Sequence, residues 1–341
     1  MNKKKVLFYS SVKNKELFFI QRYYLHDIRI LEELGFSVIL SNNIFDSLCF
    51  WKYNIAFLYF YRYSFFSGLI AKILGKNVYF TGGIDDLERE FASPKRYHIQ
   101  RIFFKLCYLI ADKCIIVSSS DLANIKKIYR NKHLRKIVLS FHAIEIENYL
   151  CPKSQLAEKN RDFISIAWMG SKYNVIRKGV DLSLELFSLL INKFSYYRTS
   201  KFIIIGKKGE GTDYLYEVCK KKNIEDRVIF LGEIEENSKI DLLKDNYIYC
   251  QLSHYEGFGI AALEALATGN IVINSGKGGL KDSINKFGIL VDIQKELSSQ
   301  VDRIHNEIIT IGPDFLKLGE QYVVENFSID RRKKDFSKII T

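Results

Sequence analysis

Short apolar runs alternate with longer stretches of helical periodicity along this whole chain, and that alternation restricts it to layered α/β architecture with parallel strands. In the first half the runs fall at 5–10, 37–40, 54–60, 77–81 and 113–118. Gly35 and Gly75 sit where helix C-caps belong, and Ser93-Pro94 has the form of a helix start. A second series follows at 163–169, 201–206, 227–231, 247–252, 270–274 and 287–291. Between the two series, 151–162 is polar and carries Pro152. Each intervening stretch is long enough for the crossover helix that parallel neighbours require. Two facing, Rossmann-like, doubly wound domains are therefore expected, at 1–155 and 156–317. Ligands of such sheets bind beyond the carboxyl ends of the strands, which directs attention to those loops and to the cleft between the domains.

The 341 residues are 48% hydrophobic and 26% charged, ordinary globular proportions that exclude disorder and collagen-like structure. The six cysteines form no CxxC pair and no cleavable N-terminal signal is visible, so reduced thiols in a cytoplasmic protein are expected. The most apolar stretch, 55–74, is interrupted by Arg62 and Lys72 and makes a poor membrane span. Charge is spread unevenly. Residues 1–150 hold 23 Lys and Arg against 13 Asp and Glu, whereas the remainder holds 28 against 26. An anionic partner of the first half, nucleic acid or an acidic membrane leaflet, accounts for that excess; a solvated lysine-rich surface accounts for it equally.

The most informative segment is Glu256-Gly-Phe-Gly-Ile260-Ala-Ala-Leu-Glu264, which continues to Gly269. It follows an apolar run, passes through a glycine-bearing turn and enters a short helix. The first N–H groups of such a helix, around Gly257, Phe258, Gly259 and Ile260, form an anion site. The helix is apolar on every side except for Glu264, so it is expected to be buried and its carboxylate desolvated. A buried carboxylate needs donors. The vicinal hydroxyls of a ribose supply them in one reading, a buried arginine in the other.

A second constellation, Met169-Gly170-Ser-Lys172, continues to Arg177-Lys178-Gly179. Arg177-Lys178 lies where the next helix is expected to start, a place that disfavours cations unless an anion occupies it. A pyrophosphate would relieve that cost; so would side chains that extend into water. Other motifs carry less. Gly206-Lys-Lys-Gly209-Glu-Gly211-Thr lacks the Gly-Lys-Ser/Thr end of a P-loop and reads as a strand-to-helix turn. No GxGxxG follows the first run, no HExxH or metal-like histidine spacing occurs, and no GxSxG is present. Dehydrogenase, metalloenzyme and hydrolase readings have little behind them.

Taken together, the paired glutamates Glu256 and Glu264, Arg177-Lys178-Gly179, Phe230-Leu-Gly-Glu233 and Gly278-Gly279 resemble the family 4 retaining glycosyltransferases of GT-B fold, of the kind that serve bacterial surface polysaccharides. The resemblance spans nearly the whole chain and is densest over 163–292. It implies that 318–341 is a C-terminal helix crossing back onto the first domain. It further implies that Glu264 holds ribose hydroxyls and Glu256 hydroxyls of the transferred sugar. Lys172, Arg177 and Lys178, with the amides of 257–260, would hold the pyrophosphate, and Gly232-Glu233 the base. The donor implied is a nucleoside-diphosphate sugar, with UDP ahead of GDP, and neither a metal nor another cofactor is expected. The implied chemistry is front-face displacement with retention, of hexosyltransferase type. Asp85, in Thr81-Gly82-Gly83-Ile-Asp85-Asp86, stands where many members have a histidine near the reacting sugar carbon; as a bare sequence feature it reads equally as a turn residue.

Acceptors bind the first domain in this family, so a saccharide or lipid-linked saccharide is expected there, in capsule, O-antigen or exopolysaccharide assembly. The stretch 94–110 reads as a capped helix with Ile99, Ile102, Phe103, Leu106 and Ile110 on one stripe and Lys95, Arg96, Arg101 and Lys105 elsewhere. It either lies on an anionic membrane, making the protein peripheral on the inner face of the plasma membrane, or packs its stripe on the sheet. Two other functions remain: a GT-B sugar-nucleotide 2-epimerase, and a basic nucleic-acid-binding protein. The glutamate pair favours transfer, and no nucleic-acid partner is expected.

Overall fold

The computed structural model describes residues 3–129, 134–156 and 159–340. The chain forms two compact units, Met1–Ile144 with Phe327–Thr341, and Glu145–Asn326. The boundaries expected from the sequence were 155/156 and 317/318.

The first unit is built on β1 (Lys5–Tyr9), β2 (Ser37–Ser41), β3 (Ile55–Tyr59), β4 (Asn77–Thr81), β5 (Lys113–Ile116) and β6 (Ile137–Leu139). All neighbours are parallel, in the order β2-β1-β3-β4-β5-β6. Central β3 is buried along its whole length, which is why Ile-Ala-Phe-Leu-Tyr is a continuous apolar run rather than an alternating one. Only β6 has no counterpart in the expected series. It has three residues at the sheet edge, all half-buried, too short and too weakly patterned to stand out. The helix Pro94–Ile110 starts as its sequence requires, with Pro94 in the first turn and the Ser93 hydroxyl accepting from Arg96 N at 3.4 Å. Its inward face, however, is Gln100, Phe104 and Cys107. The expected stripe lies to one side, with Ile99, Phe103, Leu106 and Ile110 half-buried and Ile102 exposed.

The single helix expected over 318–341 is two, Pro313–Phe327 and Ile329–Ile339, broken where Ser328 turns extended and caps the second; that second helix, with a parallel bridge from Ile144 to Ser328, joins this unit. Arg332 of that helix is buried. It gives Asp27 two charge-assisted bonds, Nε to Oδ1 at 2.5 Å and Nη2 to Oδ2 at 2.8 Å, and donates Nη1 to the carbonyls of Ser140 and Phe141 at 2.8 and 2.6 Å. Tyr59 donates its hydroxyl to Asp27 as well.

The second unit carries β7 (Asn160–Ile166), β8 (Phe202–Ile205), β9 (Val228–Gly232), β10 (Asn246–Gln251), β11 (Ile271–Asn274) and β12 (Gly288–Leu290), again all parallel, in the order β12-β11-β10-β7-β8-β9. Strand β7 begins inside the stretch that the sequence marks as a polar break. The 206–212 glycine segment is a strand-to-helix turn into Glu210–Lys222, with Thr212 Oγ1 accepting from Gly209 N at 3.1 Å. All six cysteines are unpaired. Among the described residues, no helix is long and apolar enough to cross a membrane.

Candidate functional site

Because every strand of the second sheet runs the same way, the loops after β7, β8, β9, β10 and β11 leave one edge of it. The 170–179 segment, Gly232-Glu233, the 253–260 turn and Gly278-Gly279 all belong to those loops. At their centre stands an ion pair between Lys178 and Glu256. The same carboxylate oxygen accepts from Gln251 Nε2 at 2.8 Å and lies 3.5 Å from the Ser253 hydroxyl, and Gln251 is in turn oriented by the Tyr249 hydroxyl at 2.9 Å. Burial alone would raise the Glu256 carboxyl. The nearby Lys178 and Arg177 charges, with the Lys178 and Ser253 hydrogen bonds, overcome that and hold it below its ordinary value. Glu256 is therefore a fixed anion at neutral pH.

The turn after Glu256 is shaped by Gly278-Gly279. Gly278 has φ 63°, and a Cβ on it would sit 2.2 Å from the Glu256 carbonyl oxygen. Gly279 N donates to that carbonyl at 2.6 Å. A side chain at 278 would thus both strain the backbone and push the turn away. Past the turn, Gly259 is the N-cap of the helix Ile260–Ala267, whose first amides have no partner within the helix.

Glu264 lies on that helix and is 3% exposed. Its surroundings decide between the two donors considered above in one respect: among the described residues, no arginine holds it. Lys239 Nζ lies 2.7 Å from Oε2 and the Tyr149 hydroxyl 2.9 Å from Oε1. Both partners also reach Glu236, at 2.9 and 2.8 Å. Burial would lower the Lys239 ammonium, but the Glu264 and Glu236 charges and their hydrogen bonds raise it. Burial and the same two carboxylates push the Tyr149 hydroxyl up. Each carboxylate oxygen keeps a second lone-pair direction, so the cluster can accept further hydroxyl donors.

The remaining residues are less closely gathered. Arg177 closes the short helix Lys172–Arg177 and Lys178 is its C-cap; the next helix, Val180–Lys193, starts only after Gly179. The expectation that Arg177-Lys178 opens a helix is thereby corrected. A helix C-terminus favours cations, so their placement needs no anion to explain it. Lys172 lies over the Tyr214 ring, 4.7 Å from its centroid. Gly232, with φ 86°, ends β9 at the sheet edge and gives its carbonyl to Gly206 N at 2.9 Å, with Glu233 following. Asp85 belongs to the first unit, opening the turn Asp85–Leu87 that follows β4. Sequence reasoning passed over Tyr149, Lys239 and Gln251. Lys239 sits on the polar helix Glu236–Asp245 and Tyr149 beside the segment 146–148, and neither spacing nor composition marks either.

This constellation offers two anchored carboxylates, a lysine, and a glycine-bounded helix start, a set suited to a ligand with both hydroxyl and anionic groups. The family model for group 1 glycosyl transferases matches residues 155–308, which lie within the second unit. The chain is 29% identical over 132 residues to an uncharacterized glycosyltransferase of Methanocaldococcus jannaschii, covering 38% of this chain and 33% of that protein. It is 20% identical over 297 residues to the GDP-Man:Man(3)GlcNAc(2)-PP-Dol alpha-1,2-mannosyltransferase of Dictyostelium discoideum, covering 80% and 56%. The chain thus spans between about a third and somewhat over half of the length of these relatives. Among solved structures, Anabaena Alr3699/HepE in complex with UDP superposes with a TM-score of 0.74 at 14% identity, covering 99% of both chains. At that identity the likeness shows the fold, which is GT-B.

Proposed function

We propose that the chain is a retaining, metal-independent glycosyltransferase of hexosyl type, taking its sugar from a nucleoside-diphosphate donor, with UDP ahead of GDP. The observation that carries this reading is the arrangement of one turn and helix: Glu256 ion-paired to Lys178 on one side of the glycine turn and Glu264 buried behind it. In this reading Glu264 accepts from the ribose hydroxyls and Glu256 from hydroxyls of the sugar. Lys178, Arg177 and Lys172, with the amides of Gly257, Phe258, Gly259 and Ile260, hold the diphosphate, and Gly232-Glu233 borders the base. The acceptor oxygen forms its bond to the anomeric carbon on the face from which the diphosphate departs. The acceptor proton passes to a phosphate oxygen of that leaving group, and fixed charges stabilise the diphosphate as its bond breaks. Asp85 is proposed to serve the reacting sugar.

The acceptor proposed is a saccharide or lipid-linked saccharide in bacterial surface-polysaccharide assembly, reached at the inner face of the plasma membrane. UDP in the Anabaena HepE complex supports the choice of UDP, whereas the name of the Dictyostelium relative carries a GDP-sugar and favours GDP; that same name supports a lipid-linked acceptor.

Calorimetric titration with UDP-, GDP- and ADP-sugars in excess EDTA tests the reading. A UDP-sugar is expected to bind with Kd on the order of 10–100 μM, within the usual range for enzyme substrates. Transfer is expected to persist in EDTA. Conversion of the donor to its 2-epimer without acceptor would favour the epimerase, and salt-dependent RNA binding with no sugar-nucleotide affinity would favour the nucleic-acid reading. Activity lost on chelation and restored by Mn²⁺ would contradict the metal-independent mechanism.

A further inference from the structure

The helix Ser64–Ile73 is inside out. Its buried residues are the small Ser64, Ser67, Gly68 and Ala71. A Cβ added at Gly68 would sit 2.5 Å from Phe80 Cζ and 2.9 Å from Leu58 Cδ1, so the helix lies unusually close to the sheet. Of its large apolar residues Phe65 packs on the core, and the others face elsewhere. Phe66, Leu69, Ile70 and Ile73 recur at the spacing of a single helix face, and Phe66 and Ile73 are 48% and 75% exposed.

The apolar surface continues on both flanks. The 44–52 segment runs beside this helix, joined to it by a hydrogen bond between Ser47 and Ser67, and exposes Phe45 and Trp51, each at 68%. On the other side the Phe66 and Phe103 rings meet with centroids 6.3 Å apart, and Ile102 is exposed beyond them. A helix facing water usually presents polar side chains outward; here Lys72 is the one charge on the helix, and Phe66 and Ile73 are exposed beside it. Exposed apolar side chains gathered on neighbouring elements in this way mark a docking face.

The surrounding charges indicate what docks. Lys76 lies over the rings of Phe50 and Tyr53, 5.9 and 5.8 Å from their centroids, and Lys52 and Lys105 are exposed at the margin. The acids nearby are already engaged, Asp46 with the Ser41 hydroxyl at 2.6 Å and Asp112 with Lys72 at 2.9 Å. Residues 1–150, which contain the whole patch, carry most of the chain's excess of Lys and Arg, 23 against 13 acids. Aromatic and aliphatic side chains inside a lysine rim match the boundary between acyl chains and acidic headgroups. A second copy of the chain would set lysine against lysine.

We infer that the outer face of Ser64–Ile73, with the 44–52 segment, inserts shallowly into an anionic lipid surface. The inference rests on the membrane part of the reading above. It moves the contact from the basic residues of Pro94–Ile110 to the apolar face beside them, and it uses no residue of the donor site.

Trp51 is itself the probe once Trp168 is replaced (W168F). With vesicles of mixed phosphatidylglycerol and phosphatidylcholine, Trp51 emission is expected to shift to the blue and to be quenched by lipids brominated along their chains. Phe45→Glu with Ile73→Glu, both at exposed positions, is expected to lower vesicle partitioning by about tenfold or more. Reversing Arg96 and Arg101, which lie outside the lysine rim, to glutamate is expected to do less. Three outcomes overturn the inference: no shift or quenching; binding that survives Phe45→Glu with Ile73→Glu but vanishes on charge reversal; or a lipid-free dimer that the apolar substitutions dissociate. Sugar-nucleotide affinity measured on the same samples separates failure of docking from failure of the donor reading.

Discussion

Replacing Glu256 by alanine is expected to lower kcat by about 10²–10³-fold while nucleotide affinity changes little, the loss typical of one charge or donor aimed at the reacting centre. The expectation follows from its setting. Glu256 is held by Lys178, Gln251 and Ser253 and kept ionised, which fixes a carboxylate where hydroxyls of a bound sugar can be oriented. Lys178→Ala should act on both quantities, because it removes a cation from the diphosphate and leaves Glu256 buried without its ion-pair partner. Steady-state rates beside titrations with UDP alone separate the two effects. Wild-type rates in Glu256→Ala would remove this residue from the mechanism.

The second large effect concerns stability. Arg332→Met is expected to destabilise the first unit by about 3–5 kcal/mol, because it leaves Asp27 charged and buried with no counter-ion. For a body of this size that corresponds to a fall on the order of 10 °C in its unfolding transition. Combining it with Asp27→Leu should recover much of the loss, since replacing both members of a buried pair by apolar residues is often close to neutral. Tyr59 retains an acceptor in that double variant, the Tyr23 carbonyl at 3.0 Å. Calorimetric scans of the two single variants and the double variant measure the coupling. A cost below about 1 kcal/mol for Arg332→Met would mean that the pair contributes no more than a surface salt bridge.

Much of the fold is legible because parallel strands buried on both faces are continuous apolar runs, and their crossover helices punctuate them with glycine and capping residues. Strand β6 escapes this logic because three half-buried residues at an edge carry too little pattern. The inward face of Pro94–Ile110 was misread for a related reason. Gln100 and Cys107 are buried there, while the larger Ile99, Phe103 and Leu106 pack sideways, so side-chain size does not identify the contact. Arg177-Lys178 was assigned to a helix start because the short helix before it, Lys172–Arg177, is not visible as a separate element.

Within the candidate site, the burial of Glu264 follows from the apolar helix that bears it. Its partners do not. Tyr149 and Lys239 come from segments far from it in sequence, and only the folded backbone brings them to one carboxylate. The inverted helix Ser64–Ile73 is likewise hidden. Its apolar residues outnumber its small ones, and periodicity alone assigns the larger set to the core.

The central claim is that Glu264 recognises a ribose. Its most direct test compares the affinities of UDP and 2′,3′-dideoxy-UDP for the native chain and for Glu264→Ala, with Lys239→Met as a positioning control. The native chain should prefer UDP by about 10–100-fold, the discrimination expected when a buried charged acceptor loses its hydroxyl donors. Glu264→Ala should bind the two nucleotides nearly equally, and Lys239→Met should fall between. Equal discrimination in all three proteins would contradict the account and leave Glu264 as one member of a buried ion-pair cluster with Lys239, Glu236 and Tyr149.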